Sequence, residues 1–481
     1  MNKLNRLVFT HYKKQIFCFL LMNIFCLSSC TLAPNFEKAA LPIPNQFPND
    51  ALTQYSGVLT DQKLDWHRLI VSKNLQDLVK LALSNNRDLR ISSLNIERTQ
   101  AQYRIVRANL LPSINATAIE TNALTPANLT TTGSQSQIHN AAVGIGFNNY
   151  EVDVFGKLRD LKDQALEQFL SSEEAFKTVR LSLIAQVCSV YYTLVADQQH
   201  LAISKKLLHN QKESLQISQK MFEQGMLSDA ALNQVKALYH IAEIDVSRYI
   251  NAVAQDKNLL ALLVGTTIPN ELYPPLQVDQ YELLTGNLPP DLPATVLTQR
   301  PDVLEAEHLL RAANANIGVA RAAFFPSITI TGFYGTASSD MNSLFTPGQL
   351  SWAFIPQITF PIFNSGSLLA NLSISKTNRQ IYLANYERVI QYAFREVSDN
   401  LITQSTLIDQ LMHETELIHL SEKNLQLTTA RYENGIDSYL TKLINQRNLY
   451  LEQQILLNLQ LAKSINLINL YKSLGGDIDL Q

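Results

Sequence analysis

Residues 107–114 read Arg-Ala-Asn-Leu-Leu-Pro-Ser-Ile, and residues 321–328, 214 positions later, read Arg-Ala-Ala-Phe-Phe-Pro-Ser-Ile. The echo holds at a nearly constant offset. Phe222-Glu-Gln-Gly225 returns 210 positions on as Tyr432-Glu-Asn-Gly435, and the Leu263-Val-Gly265 stop returns as Leu474-Gly475. Only two copies are present, each far longer than a solenoid repeat, so the chain is a tandem duplication of one structural unit.

Chain breakers show what each copy contains. No Gly or Pro occurs from Lys157 to Phe222, a stretch of 66 residues, or from Ser367 to Asn434, a stretch of 68. At 1.5 Å per residue each can form a helix about 100 Å long. Met226 to Val264 and Ile436 to Leu474 are both 39 residues without a breaker, so Gly225 and Gly435 each join a long helical arm to a shorter one. In the first long arm Val187, Leu194, Leu201, Leu208, Leu215 and Phe222 recur every seven residues; in the second, Leu411, Ile418, Leu425 and Tyr432 keep the same register. A seven-residue apolar period predicts a narrow seam, the signature of a coiled coil.

Ahead of each hairpin lies a segment of different period. Val143, Ile145 and Phe147 alternate with Gly144, Gly146 and Asn148; Trp352, Phe354, Ile358, Phe360 and Ile362 alternate with Ala353, Gln357 and Thr359. The alternation predicts strands over Ser113–Ala123, Ala141–Val152, Ser327–Ala337 and Leu350–Ile362, with Pro112 and Pro326 ending the helices before them. By alternation alone these are either soluble hairpins with one buried face or strands crossing a bilayer, which needs about 9–11 tilted residues. Tyr150, Tyr334, Trp352 and Phe363 stand near strand ends, as interfacial aromatics do. Four strands cannot close a water-filled barrel, and open edges in lipid cost several kcal/mol per unpaired group, so the membrane reading requires several chains around one axis. Narrow seams on long arms ask for the same lateral partners.

The first thirty residues set the compartment. Lys3, Arg6, Lys13 and Lys14 precede an apolar run from Ile16 to Leu27, too short to span a bilayer and followed by small residues, as in a secretory signal. Its exit, Leu27-Ser-Ser-Cys30, resembles the lipobox of bacterial lipoproteins, which implies a covalent lipid on Cys30, the only prosthetic group expected; Thr31 in the next position fits sorting to the outer membrane. A plain cleaved signal followed by an unrelated cysteine is the alternative. The whole chain carries a formal charge of −3, and loss of the basic leader makes it about −7, an acidic balance that argues against nucleic acid. Cys30 and Cys188 alone remain after cleavage, too few for a disulfide framework.

The lipobox, a Pro-rich leader (Cys30-Thr-Leu-Ala-Pro-Asn-Phe, then Leu41-Pro-Ile-Pro), the Arg300-Pro-Asp302 opening of the second copy and the duplicated hairpins together resemble the TolC-like outer-membrane efflux factors, lipoprotein branch. The stretch Ala430 to Leu440, ARYENGIDSYL, carries the likeness most specifically. The resemblance covers the mature chain. It implies a mainly α protein with membrane β-structure, a homotrimer whose 12-stranded β-barrel in the outer membrane continues as a 12-helix periplasmic α-barrel. It further implies a periplasmic adaptor and an inner-membrane pump of resistance-nodulation-division type as partners, and a passive conduit for small molecules. The expected layout is a signal peptide at 1–29, a Pro-rich lipidated extension at 30–72, repeats at 73–265 and 293–476 joined by a linker at 266–292, and a tail at 477–481.

The same resemblance sets a periplasmic gate after the second turn. Tyr432 matches a tyrosine whose hydroxyl ties adjacent coils, Leu440 a hydrophobic constriction, and Arg447 a basic residue of the closing network. Relatives carry an acid in an L-D-A-Q pattern where this chain reads Leu443-Ile444-Asn445-Gln446, so the acidic ring is replaced, and a drier closure by Leu440 and Ile444 is expected. For Ile444 a coiled-coil core position is the alternative. Gly225, Met226, Leu227, Ser228 and Asp229, with Gly435, Ile436, Asp437 and Ser438, cap the free ends of the arms and are the expected adaptor contacts.

No enzyme signature competes. His413-Glu414 starts like a zinc-protease motif, but its second histidine position is Leu417, and Gly144-Ile-Gly146 sits in an alternating strand without a third glycine. The remaining rivals are a protein-secretion conduit of the same architecture and a coiled-coil scaffold lipoprotein. An adaptor, the other non-channel reading, would carry one hairpin and have no need of four matched strands.

Overall fold

The computed structural model describes residues 31–38, 40–47, 66–131, 133–275 and 293–476. Residues 1–30, and with them the signal segment and Cys30, lie outside the described residues, as do most of the linker and residues 477–481. In chain order the principal elements are α1 (Trp66–Leu69), α2 (Lys73–Asn85), α3 (Arg87–Ala108), β1 (Asn115–Thr125), β2 (Ser136–Val152), α4 (Lys157–Glu223), α5 (Asp229–Val264), α6 (Pro301–Ala322), β3 (Ser327–Ser338), β4 (Leu350–Thr359), α7 (Ser367–Glu433) and α8 (Tyr439–Ser473). Both long arms are single 67-residue helices, and the short arms have 36 and 35 residues.

Two compact units cut across the repeats. The first gathers residues 96–172 and 306–386 with the leader; the second gathers residues 40–95, 173–305 and 387–481.

The first unit holds one four-stranded antiparallel sheet, ordered β1-β2-β3-β4, so the two hairpins meet through β2 and β3 and leave β1 and β4 as edges. Register sorts most side chains of β2–β4 by chemistry, with Phe333 and Ile355 as apolar exceptions on the second face. The row Ala116, Ile145, Tyr334, Trp352 lies on one face with Phe147, Phe354, Ile328 and Ile358. The row Thr117, Gly144, Gly335, Ser351 lies on the other with Thr329 and Gln357. Trp352 is 71% exposed and Ile358 69%, so the apolar face is open. A protein that keeps such a row out of water must set it in lipid or against another chain. The β2–β3 junction is close-packed through glycine. The Phe147 ring lies on Gly332, the Phe333 ring on Gly144, and a side chain on Gly144 would meet the Tyr334 carbonyl at 2.6 Å. β2 is five residues longer at its start than the alternation predicted, because His139 and Asn140 interrupt the apolar pattern yet still pair with Asn122 and Thr121. β4 stops at Thr359, short of Ile362 and Phe363, since Pro361 cannot donate to a ladder. α3 and α6 end at Ala108 and Ala322, four residues before the prolines that were expected to stop them. The intervening residues form turns, with Leu111 N–H donating to the Ala108 carbonyl and Phe325 N–H to Ala322.

The first unit also contains the leader, which crosses α6 from its end to its start. Arg321 Nη1 donates to the Leu32 carbonyl at 2.9 Å, Asn314 Nδ2 to the Pro34 carbonyl at 2.7 Å, and Arg311 lies over the Phe36 ring at 4.8 Å. Lys38 reaches Glu307 at 3.2 Å, and Thr31 Oγ1 donates to buried Asp160. Gly318 leaves room for this crossing, because a Cβ there would stand 2.7 Å from Ala33 N.

The second unit is built on a helical core in which Leu75 and Leu78 of α2, Leu183, Val187 and Leu194 of α4, Leu260 and Val264 of α5, and Ile468 of α8 are almost fully enclosed. Burying each such side chain stabilises by roughly 1.5–3 kcal/mol. Gly265 ends α5 with φ +75, where a side chain would strike the Asn85 carbonyl at 2.6 Å, so the end of α2 can rest on it. Asn86 fastens the same contact by donating to the Leu263 carbonyl at 2.8 Å. Arg300 is 6% exposed and binds Asp302, Glu396 and the Ser473 carbonyl, closing the C-terminus of α8. Cys188 lies in this core with its thiol pKa pushed up to about 12 by burial, which removes thiolate chemistry at neutral pH.

Candidate functional site

The free ends of the hairpins are two copies of one turn. Gly225 has φ +72 and Gly435 φ +71, and a Cβ on either would touch nothing, so backbone conformation alone calls for glycine there. Met226 N–H donates to the Met221 carbonyl at 2.8 Å and Ile436 N–H to Arg431 at 2.9 Å, which satisfies the last carbonyls of the long arms. Ser228 and Ser438 then cap the short arms, accepting from Ala231 N at 3.3 Å and Thr441 N at 3.2 Å. The chemistry of the two turns differs. In the second, Arg431 grips Asp437 through Nε at 2.7 Å and Nη2 at 3.0 Å; the positions 210 earlier are Met221 and Leu227, which cannot form the pair. This bidentate contact holds the Asp437 carboxyl below its usual pKa. Met226 and Ile436 are 64% and 63% exposed, so each tip presents one bare apolar side chain.

Behind the tips the seams take a mixed form. Leu201, Leu208 and Leu215 are half-buried, and three residues after each stand the enclosed Ser204, Gln211 and Ser218. In the second arm Leu411, Ile418 and Leu425 are followed at the same spacing by Glu414, Ser421 and Thr428, which are half-buried and not enclosed. The seven-residue period was therefore legible and the alternate seam position was not, because serine and glutamine carry no apolar signal. Phe222, at the end of the predicted series, is exposed.

The gate residues lie on α8 beside this seam. Leu443, 1% exposed, faces the seam with Tyr450, Leu457 and Ser464 at seven-residue spacing. Ile444 is 45% exposed and points away from it, and Leu440 is half-buried one turn before. Ile444 is thus not a core residue of its own hairpin. Arg447 is exposed on the same side and makes no ion pair within the chain among the described residues. The Tyr432 ring is tilted against Tyr439, ring centroids 5.0 Å apart, with Lys442 Nζ 5.8 Å from its ring.

Tyrosines that the sequence did not single out tie the coils. The Tyr439 hydroxyl pairs with the Ser214 hydroxyl on α4, and burial raises its pKa. Tyr450 is 5% exposed; its hydroxyl meets Ser204 of α4 at 2.9 Å, donates to Asp245 of α5 at 3.2 Å, and accepts from Gln454. Burial drives its pKa to about 12. One hydroxyl therefore joins the first hairpin to the second. His200 continues the ladder, stacked on Tyr249 at 4.8 Å with Nε2 3.2 Å from Asn458. Higher still, Asp197 and Asp256 share a proton between α4 and α5: burial, then the Asp197 charge, pushes Asp256 up to about 7. A seven-residue spacing from Leu443 through Tyr450 would have flagged Tyr450, but only as a core position.

An open antiparallel sheet with a lipid-type face and two unpaired edges, followed by paired coiled-coil hairpins, defines a membrane channel subunit of the outer-membrane export type. The sequence matches the Outer membrane efflux protein family over residues 78–266 and 292–476, and the chain belongs to that family. It is 41% identical over 460 residues to the probable efflux pump outer membrane protein TtgC of Pseudomonas putida, covering 95% of this chain and 94% of the relative. It is 37% identical over 454 residues to the outer membrane protein OprJ of Pseudomonas aeruginosa, covering 94% of each. Among solved structures it resembles a membrane protein from Pseudomonas aeruginosa, with a TM-score of 0.87 at 36% identity over 94% of this chain and 99% of that one. It also resembles the open-state MtrE outer membrane channel of Neisseria gonorrhoeae, with a TM-score of 0.82 at 32% identity over 93% and 98%. The protein is an outer-membrane efflux channel component of a Gram-negative bacterium, mainly α-helical with four membrane strands.

Proposed function

We propose that three copies of this chain close a 12-stranded barrel and a 12-helix periplasmic tunnel that passively conducts small apolar compounds, drugs and solvents among them. A resistance-nodulation-division type pump delivers them through a periplasmic adaptor. The observation that carries this reading is the sheet order. β1 and β4 are both free edges beside an exposed apolar face, and in lipid their unpaired backbone groups need strands from other copies. Similarity to toluene, solvent and antibiotic efflux pump outer membrane proteins of Pseudomonas putida supports the substrate class.

The gate in this proposal is a ring of Leu440 and Ile444 side chains, with Tyr432 and Arg447 on its rim. Exposure of Ile444 away from its own seam supports that role. Tip residues 225–229 and 435–438 bind the adaptor. A lipid on Cys30 anchors the chain, and the leader supports this: Thr31, the next residue, is held at Asp160 and Leu32 at Arg321, six residues before β3 begins.

The test is reconstitution of the purified protein in planar bilayers together with gene deletion. Discrete conductance from a particle of three times the chain mass, and hypersensitivity of the deletion strain to solvents and hydrophobic drugs, are expected. A monomeric, non-conducting protein would overturn the reading.

A further inference from the structure

The lipid-type face of the sheet carries one carboxylate, at its far rim. Register continues that face from Ala116 and Ala118 to Glu120 and Asn122 of β1, opposite Ala141 and His139 of β2. Glu120 therefore lies two rows past the row of Ile145, Tyr334 and Trp352, toward the β1–β2 turn and away from the helices. A strand tilted by about 40° rises roughly 10 Å over that interval, which sets Glu120 beyond the aromatic row and in the headgroup layer of a bilayer. Asn122 Nδ2 donates to Glu120 Oε1 at 3.2 Å, and His139 Nδ1 donates to Asn122 Oδ1. These bonds fix one carboxylate oxygen and leave Oε2 free on an exposed side chain.

Charge around this carboxylate is one-sided. Residues 108–156 and 322–375, which hold all four strands, contain no Lys or Arg. The other acids of these stretches are bound: Glu151 to Lys157, Asp153 to Arg159, and Asp340 to the Asn342 N–H of its own turn. Glu120 has only a neutral partner among the described residues. The outer leaflet of a Gram-negative outer membrane is a phosphorylated glycolipid, so this carboxylate meets phosphate of like charge with no basic side chain to offset either. A divalent cation removes the conflict, because Ca²⁺ takes roughly 6–8 oxygen ligands and can join a carboxylate to a phosphate. We propose that Glu120 holds a divalent cation shared with the phosphate of an outer-leaflet glycolipid, while Asn122 and His139 position the carboxylate. One carboxylate supplies too few ligands for tight binding by itself, so cation and lipid bind together. This inference needs only the sheet in lipid and stands apart from the gate and the adaptor.

The test takes the full-length protein purified in detergent, with diphosphoryl lipid A as the probe and retained lipid read by native mass spectrometry. Wild-type protein should retain lipid A in Ca²⁺ and release it when EDTA is added. E120Q keeps an acceptor for Asn122 and removes the charge, so retention in Ca²⁺ should fall about tenfold. E120K should retain lipid A in Ca²⁺ and in EDTA alike, because its ammonium meets the phosphate directly. Retention that neither E120Q nor EDTA lowers overturns the proposal, and so does equal Ca²⁺-dependent retention of phosphatidylglycerol. Planar-bilayer conductance of the same preparation keeps the two readings apart: a protein that binds lipid A in this way without conducting would overturn the conduit and leave the lipid site standing.

Discussion

At the scale of single residues, the proposed gate departs from the pattern that the family resemblance implies. Ile444 stands where an acid was expected, and Arg447 beside it has no intrachain anion among the described residues. The proposed closure by Leu440 and Ile444 would exclude ions by dewetting, so L440A with I444A should raise resting conductance severalfold in planar bilayers. I444D should instead introduce block by divalent cations at the periplasmic mouth. If L440A with I444A leaves conductance unchanged, the gate lies elsewhere. The Asp197–Asp256 pair makes a second prediction. Asp256 has its folded pKa raised above the unfolded value, so its contribution to stability is complete below about pH 4 and is lost as pH rises through about 7. D256N should therefore stabilise the protein relative to wild type at pH 8 and not at pH 4, by on the order of 1–2 kcal/mol after solvent screening. Thermal denaturation across pH measures the difference. His200, whose pKa burial lowers, acts in the opposite sense below about pH 6.5 and is common to both proteins.

The elements were legible in proportion to their periodicity. The absence of breakers over 157–222 and 367–434 gave both 67-residue helices nearly to their ends, and Gly225 and Gly435 gave the turns. The sequence pattern shortens β2 because Ser136, Gln137, His139 and Asn140 leave Ile138 as a single apolar residue ahead of Ala141. The polar half of the seams, and with it the Tyr450 and Tyr439 ties, is not legible in the sequence, since a serine beneath a tyrosine becomes a contact only when two helices are set side by side. A seam half filled with polar groups makes the enclosed leucines carry the packing. L443A, at 1% exposure, should cost about 3 kcal/mol, and L417A, at 42% exposure, less than 0.5 kcal/mol. Q211L should stabilise by about 1 kcal/mol, because the Gln211 Oε1 is buried with no hydrogen-bond partner. Denaturation of the detergent-solubilised protein orders the three variants, and equal effects of L443A and L417A would contradict the seam assignment.

For the whole molecule, strand direction alternates through β1-β2-β3-β4, so an edge β4 can meet the β1 of a second copy in the same antiparallel sense that joins β2 to β3. Pairing between copies then repeats the pairing between repeats, and an unbroken chain from one repeat to the next is dispensable to closure. Two polypeptides co-expressed with the cut at residue 283, in the linker, should assemble into the same-sized conducting particle, read by native mass spectrometry. Recovery of only unassembled halves would show that the covalent link is required. One further consequence follows from the leader. Its bonds from Asn314 to Pro34 and from Arg321 to Leu32 join residues 280 and 289 positions apart. Contacts of such range form late, since loop-closure entropy precedes any gain from them. During export the leader emerges first, while these two contacts are expected to form last. Seating of Leu32 against Arg321 and of Pro34 against Asn314 thereby waits on the folding of α6, residues beyond 300.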